Sequence, residues 1–199
     1  FSALKQFYEH QKNIIYVPGN HEYYRSSIVE FDYYMKRFIQ GTSIKFLNPG
    51  YARIGDVTFI GATLWTNFRQ DVFAKLAVPR RISDFKLIKD FSGAVASELF
   101  SQHIKYIKDA YAKTQGKKVI VTHFLPAIEC ISPQFQGPDL INYYFANDQG
   151  EYIAELKDTT WLFGHTHDNV DIQLGDTRLI ANPYGYNYNE YYKERIICI

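Results

Sequence analysis

Three short apolar runs, each followed within a few residues by a histidine, constrain this chain more than anything else in it. Ile14-Ile15-Tyr16-Val17 leads to Gly19-Asn20-His21-Glu22. Val119-Ile120-Val121 leads to Thr122-His123, and Thr160-Trp161-Leu162-Phe163 leads to Gly164-His165-Thr166-His167. Short apolar runs rich in β-branched and aromatic residues and bounded by turn signals read as buried strands. In open α/β sheets, sites form beyond the C-terminal ends of such strands. The pattern therefore predicts three buried strands that carry polar donors to one place. Imidazoles and an amide oxygen suit a divalent transition ion such as Mn, Fe or Zn. His165 and His167 can face one point if the chain turns sharply between them.

The remaining segments fit an α/β chain. Ser27-x-x-Glu30 is a capping box. It opens a helix with Phe31, Tyr34, Met35, Phe38 and Ile39 on one face, closed near Gly41. Ile44–Leu47 reads as a short strand. Gly55-Asp56 and Gly175-Asp176 are two-residue turns, the first between Tyr51–Ile54 and Val57–Gly61, the second between Val170–Leu174 and Thr177–Ala181. Ser92 caps a long helix with Ala96, Phe100, Ile104, Ile107 and Tyr111 along one face, stopping near Gly116. Tyr152–Lys157 reads as a short helix and Glu194–Ile199 as a final strand. Ala62–Asp90 and Phe124–Asn147 read as irregular. Trp65, Arg69, Arg80 and Arg81 lie in the first of these and could border a site, since Arg suits phosphate. His10 and His103 fall within helical patterns and read as structural.

Composition excludes several classes. At 199 residues and 46% hydrophobic content, the chain supports one domain with a proper core. A net charge of +1 gives no basic field for nucleic acid and no acidic tail. No apolar run approaches the roughly 20 residues that span a bilayer, and the first residues read as an amphipathic pattern rather than the continuous apolar h-region of a signal peptide. Cys130 and Cys198 form no C-x-x-C pair and read as two buried thiols in a reducing compartment, hence a cytoplasmic location. The chain opens on Phe1, its one Met is Met35, and Phe1–Tyr8 already reads as helix with Leu4, Phe7 and Tyr8 on one face. The expectation is that a piece precedes it.

Taken in order, Gly19-Asn20-His21-Glu22, Thr122-His123 and Gly164-His165-Thr166-His167 resemble the calcineurin-like metallophosphoesterase family. Gly61–Thr66, Asp84–Ile88 and Asn182–Tyr186 resemble a bacterial and phage branch of it. Tyr184 stands where that branch carries Arg, so no substrate role is carried to that turn. The family has five motif blocks and the last three are present. Its opening Asp-x-His and Gly-Asp-x-x-Asp have no match before Asn20. The resemblance implies an α/β/β/α sandwich of mixed sheets, a single domain over 1–199, with the N-terminal β-α-β portion absent. It also implies that Asn20, His123 and His165 bind the second of two divalent ions (Mn, Fe or Zn in the intact protein) and His167 the first. The second-metal site is the better preserved. His21 is implied as general acid rather than ligand, with Glu22 supporting its loop. The activity so implied is hydrolysis of a phosphomonoester or phosphodiester by a metal-bridging hydroxide, on a phosphorylated small molecule or a phosphodiester. The alternatives are a nuclease or cyclic-nucleotide phosphodiesterase, which the near-neutral charge does not favour, and a non-catalytic scaffold with an incomplete metal site.

Overall fold

A computed structural model describes residues 13–184 and 195–199. The expected opening helix with His10, and the end of the Asn182–Tyr186 turn, lie outside the described residues. Two sheets organise the chain. β1 (Ile14–Tyr16) pairs in parallel with β2 (Ile44–Phe46) as a two-stranded sheet. The larger sheet is mixed and six-stranded. It contains β3 (Gly50–Ile54), β4 (Val57–Ala62), β5 (Lys118–Thr122), β6 (Thr159–Phe163), β7 (Val170–Leu174) and β8 (Thr177–Ala181), in the order β3-β4-β5-β6-β8-β7. Its four central strands run parallel, and the two Gly-Asp turns fold antiparallel strands onto its edges.

The sheets press together at Gly61. A Cβ there would lie 2.7 Å from Leu47 Cβ and 2.8 Å from Val17 Cγ2. Those residues follow β2 and β1, so a bare backbone is what lets the sheets approach. The helices cover the outside, as the implied sandwich requires. α1 (Ile28–Phe38) starts where Ser27 Oγ accepts the Glu30 amide at 3.1 Å. After α2 (Val72–Ala77) and α3 (Asp84–Leu87) comes the long α4 (Gly93–Lys113), capped by Ser92 Oγ on the Val95 amide at 3.2 Å. Ala96, Phe100, Ile104 and Ile107 of α4 are buried in one core with Ile60, Ile120, Trp161 and Leu179 of the sheet. Each fully buried Ile or Phe contributes about 1.5–3 kcal/mol.

Several expectations are corrected. Ala62–Asp90 is not irregular. It holds α2, capped by Asp71 Oδ1 on the Ala74 amide at 2.7 Å, α3, and two 3-10 turns. Phe124–Asn147 likewise contains α5 (Asn142–Phe145). These pieces are too short for a helical repeat to register in sequence. The helix expected over Tyr152–Lys157 is instead α6 (Gly150–Ala154). It stops early because Leu156 turns into the core and the Lys157 amide donates to Tyr111 Oη at 2.9 Å. Arg195–Ile199 form no strand. Arg195 binds Asp171, and Lys117 Nζ reaches the Ile199 backbone oxygen at 2.8 Å. Cys130 is buried but Cys198 is exposed, and both are free thiols. Among the described residues no helix is long and apolar enough to cross a membrane.

Candidate functional site

The parallel register puts the ends of β4, β5 and β6 side by side, with Ala62 opposite Thr122 and Thr122 opposite Phe163. The residues that follow are tied to one another by hydrogen bonds. The Gly164 amide donates to the His123 carbonyl at 3.1 Å. The His123 and Phe124 amides donate to the Thr63 carbonyl at 3.3 and 3.1 Å, and Thr63 Oγ1 donates to the Pro18 carbonyl at 2.9 Å. Four loops from two sheets thus share one frame. Gly19 completes it, since a Cβ there would lie 2.6 Å from His123 Cε1, inside the ring's own space.

Three of the five predicted site residues meet in this frame. His123 Nε2 lies 2.8 Å from Asn20 Oδ1 and 3.0 Å from His165 Nδ1. His165 stacks on Phe124, ring centroids 4.2 Å apart, and its Nε2 is buried with no partner. Burial holds both imidazoles neutral. It drives His123 well below its usual range, aided by His165 and His21, and lowers His165 to about 3, with His21 and His167 adding to the effect. Neutral imidazoles are what a cation needs for its ligands.

The donor types fit a divalent ion, and the two distances are close to the spacing one requires. Atoms bound to one ion at about 2.1 Å stand roughly 3.0–3.4 Å from each other. The amide oxygen and two imidazole nitrogens here lie at 2.8 and 3.0 Å. A single hydrogen on His123 Nε2 must serve both neighbours, and a cation in its place gives each of the three atoms a partner. Among the described residues no three His, Cys, Asp or Glu side chains form a cluster for a metal. The donor set is two imidazoles and an amide.

His21 and His167 are placed differently. His165 takes a positive φ of 62°, uncommon outside glycine but better tolerated by His than by most residues. The chain does turn sharply, as expected. His165 stacks inward on Phe124, while His167 is exposed and lies within electrostatic reach of His165 and His123. His21 is also exposed. It opens a 3-10 turn, His21–Tyr23, and its ring lies 4.6 Å from that of Tyr24. Glu22 supports this loop, as expected, by accepting the Gly19 amide at 2.9 Å. His167 is lowered chiefly by burial and by nearby His21.

Three of the four border residues suggested by sequence have partners of their own. Trp65 is fully buried between Tyr23, Phe91 and Phe124. Arg69 holds α5, donating to the Asn142 and Ala146 carbonyls at 2.8 and 3.0 Å and lying over the Tyr143 ring. Arg81 pairs with Asp139 on the surface. Arg80 is exposed. His103 is buried and structural, as expected, and its Nδ1 accepts the Leu64 amide at 3.2 Å.

One residue of the site carried no signal of its own in the sequence. Asp84 is 1% exposed and accepts both Asn20 Nδ2 hydrogens, at 3.0 and 2.9 Å. Tyr24 Oη donates to it at 2.6 Å, and Tyr144 Oη donates to it from α5. Asp84–Ile88 entered above only as text resembling a branch of a family, without a role.

Comparison with known proteins bears on the fold and the family. An uncharacterized protein of Acanthamoeba polyphaga mimivirus is 27% identical over 216 residues, covering 96% of this chain and 75% of that protein. Among solved structures, phosphopantetheinyl hydrolase from Mycobacterium tuberculosis superposes with a TM-score of 0.72 at 14% identity, covering 93% of this chain and 73% of that one. At that identity the likeness shows the fold alone. A family model described as calcineurin-like phosphoesterase matches residues 1–169, motifs and strand ends included, and the chain belongs to that family.

Proposed function

We propose that the protein is a metal-dependent hydrolase of phosphomonoesters or phosphodiesters. Asn20, His123 and His165 would hold one divalent ion, His167 would contribute to a second, and His21 is the general acid. What supports this reading most is the contact of Asn20 Oδ1, His123 Nε2 and His165 Nδ1 at 2.8 and 3.0 Å in a member of a phosphoesterase family. A divalent ion among such donors acts as a Lewis acid on a phosphoryl oxygen. Manganese, iron and zinc all suit imidazole and amide oxygen.

The chain's own groups divide the remaining work. The Phe124 ring and the buried strand ends keep His123 and His165 neutral and fixed. His21 lies within electrostatic reach of His123 and His165 but is exposed and braced by the Tyr24 ring, where it can donate a proton to a departing alkoxide. An exposed position suits this task, because the donor must regain a proton from solvent after each turnover. The near-neutral charge points to small phosphorylated substrates rather than a long nucleic acid.

The experiment is a comparison of wild type with His21→Ala, both loaded with Mn2+. Bound metal is counted by elemental analysis, and hydrolysis is followed on p-nitrophenyl phosphate, phenyl phosphate and bis(p-nitrophenyl) phosphate. The variant should keep its metal and lose about 10²–10⁴-fold in turnover of phenyl phosphate, the substrate whose leaving group most needs a proton. Loss of metal and turnover together would remove His21 from the role of acid. A metal-loaded wild type that cleaves none of the three would overturn the hydrolase reading.

A further inference from the structure

Asn20 has two ends, and only its oxygen can serve a cation. Rotating the amide by half a turn would present the NH2 group instead. Asp84 decides between these states. An ionised carboxylate only accepts hydrogen bonds. Asn20 Nδ2 lies 3.0 and 2.9 Å from the two Asp84 oxygens, so the flipped amide would set its oxygen against a carboxylate. The NH2 group is therefore bound toward Asp84, and Oδ1 faces His123.

The carboxylate is itself held on both sides. Tyr24 Oη donates from the His21 loop at 2.6 Å, and Tyr144 Oη donates from α5. Among the described residues no lysine or arginine forms an ion pair with Asp84. A buried carboxylate without a counter-cation is costly to keep, and this one lies within electrostatic reach of His123. The donors beside it, an amide oxygen and two imidazoles, are all neutral.

We propose that Asp84 is the positioning residue of the cation site. It turns Asn20 Oδ1 toward His123 and His165 and supplies the negative charge those three donors lack, with Tyr24 and Tyr144 locking its carboxylate. This rests on the reading that Asn20, His123 and His165 hold a divalent ion. Outer partners of metal ligands of this kind change metal affinity by about 10–100-fold when altered.

The test is Mn2+ affinity of the full chain by electron paramagnetic resonance titration, with the unfolding midpoint of the metal-free protein measured beside it. Asp84→Asn should weaken Mn2+ binding about 10–100-fold. Asn20→Asp alone should also weaken it, because two carboxylates then face each other. The double variant N20D/D84N restores an NH2-to-carboxylate pair with the roles exchanged, and should recover most of the affinity. A residue that merely supported the fold would lower the unfolding midpoint, leave Mn2+ affinity intact and show no recovery in the exchange. Wild-type affinity in Asp84→Asn overturns the role of Asp84 alone, whereas a wild-type chain that binds no Mn2+ removes the cation reading and this one with it. Should Asp84→Asn fail to fold, Tyr24→Phe carries the test. It removes one lock on the carboxylate and should weaken binding about 10-fold, the lower end of that range, and unchanged affinity there overturns the proposal.

Discussion

Two buried polar regions lie within a few residues of each other, and they differ in what is left over. Beneath the loops, Tyr23 Oη accepts from Asn48 Nδ2 at 2.6 Å and donates to Asp32 at 3.2 Å, while Asn48 Oδ1 accepts the Thr63 amide at 2.9 Å. His103 belongs to the same scaffold, its Nδ1 taken by the Leu64 amide. Among the described residues, no side-chain atom of that network is buried without a partner. At the strand ends, one nitrogen must serve two neighbours and His165 Nε2 has none. Complete pairing is what a structural network requires, because an unpaired buried group costs about 1–3 kcal/mol. The strand-end cluster bears that cost at His165 Nε2, as Trp65 Nε1, Asn147 Oδ1 and Tyr152 Oη do elsewhere among the described residues, and what sets it apart is an amide oxygen and two imidazole nitrogens crowded on one point.

Acid is the strongest probe of the paired side. Burial lowers His103 from 6.5 to about 4, so the unfolded chain binds a proton there that the folded chain refuses. Stability from this group is whole above about 6.5 and falls as the pH drops toward about 4, by up to about 3 kcal/mol at the lower end. Asp32 works in the opposite direction. Burial raises it from 3.8 to about 6, so its folded form gains relative stability as the pH falls through that range. His103→Gln keeps an acceptor for the Leu64 amide but cannot titrate. Urea unfolding at pH 7 and pH 4.5 should therefore show a larger loss in wild type than in the variant. Equal losses would mean that the His103 proton affinity is not what burial makes it.

How much of this could be read in the sequence depends on how local each feature is. The central strands announce themselves as β-branched apolar runs, and the edge hairpins through Gly-Asp. His123 and His165 are legible because each directly follows such a run. The short helices between Ala62 and Asp90 are not, since four to six residues hold too little periodicity. Asp84 is illegible for a stronger reason. Its partners Asn20 and Tyr144 are 64 and 60 residues away, and nothing in a run of neighbours encodes that meeting. The positive φ of 62° that His165 takes is likewise a backbone feature that residue type alone does not announce.

Gly19→Ala sharpens the comparison on the cluster side. The added methyl would lie 2.6 Å from His123 Cε1 and 2.9 Å from its Nε2, and the Gly19 backbone is pinned by Glu22, so the ring is what must move. Mn2+ affinity should fall by about 10–100-fold, as it does when the support of a ligand is disturbed, with little change in the metal-free unfolding midpoint. Gly137→Ala is the control, since a Cβ there meets nothing within 4 Å. Equal affinities in both variants would mean that His123 tolerates displacement and that its position is not set by the Gly19 backbone.

The smallest effect belongs to Tyr23→Phe on the paired side. Removing the hydroxyl takes a donor from Asp32 and an acceptor from Asn48, but those two remain in contact, Asn48 Nδ2 to Asp32 Oδ2 at 3.2 Å. No buried group is stranded, so the loss is that of ordinary hydrogen bonding, about 0.5–1.5 kcal/mol in urea unfolding. Mn2+ affinity should stay where it is. The opposite result is informative, because Tyr23 Oη is 3.5 Å from Thr63 Oγ1 and the Thr63 carbonyl carries the His123 amide. A tenfold fall in affinity would mean that the scaffold reaches the cluster through Thr63, and that the two regions act as one network rather than as a frame and a site.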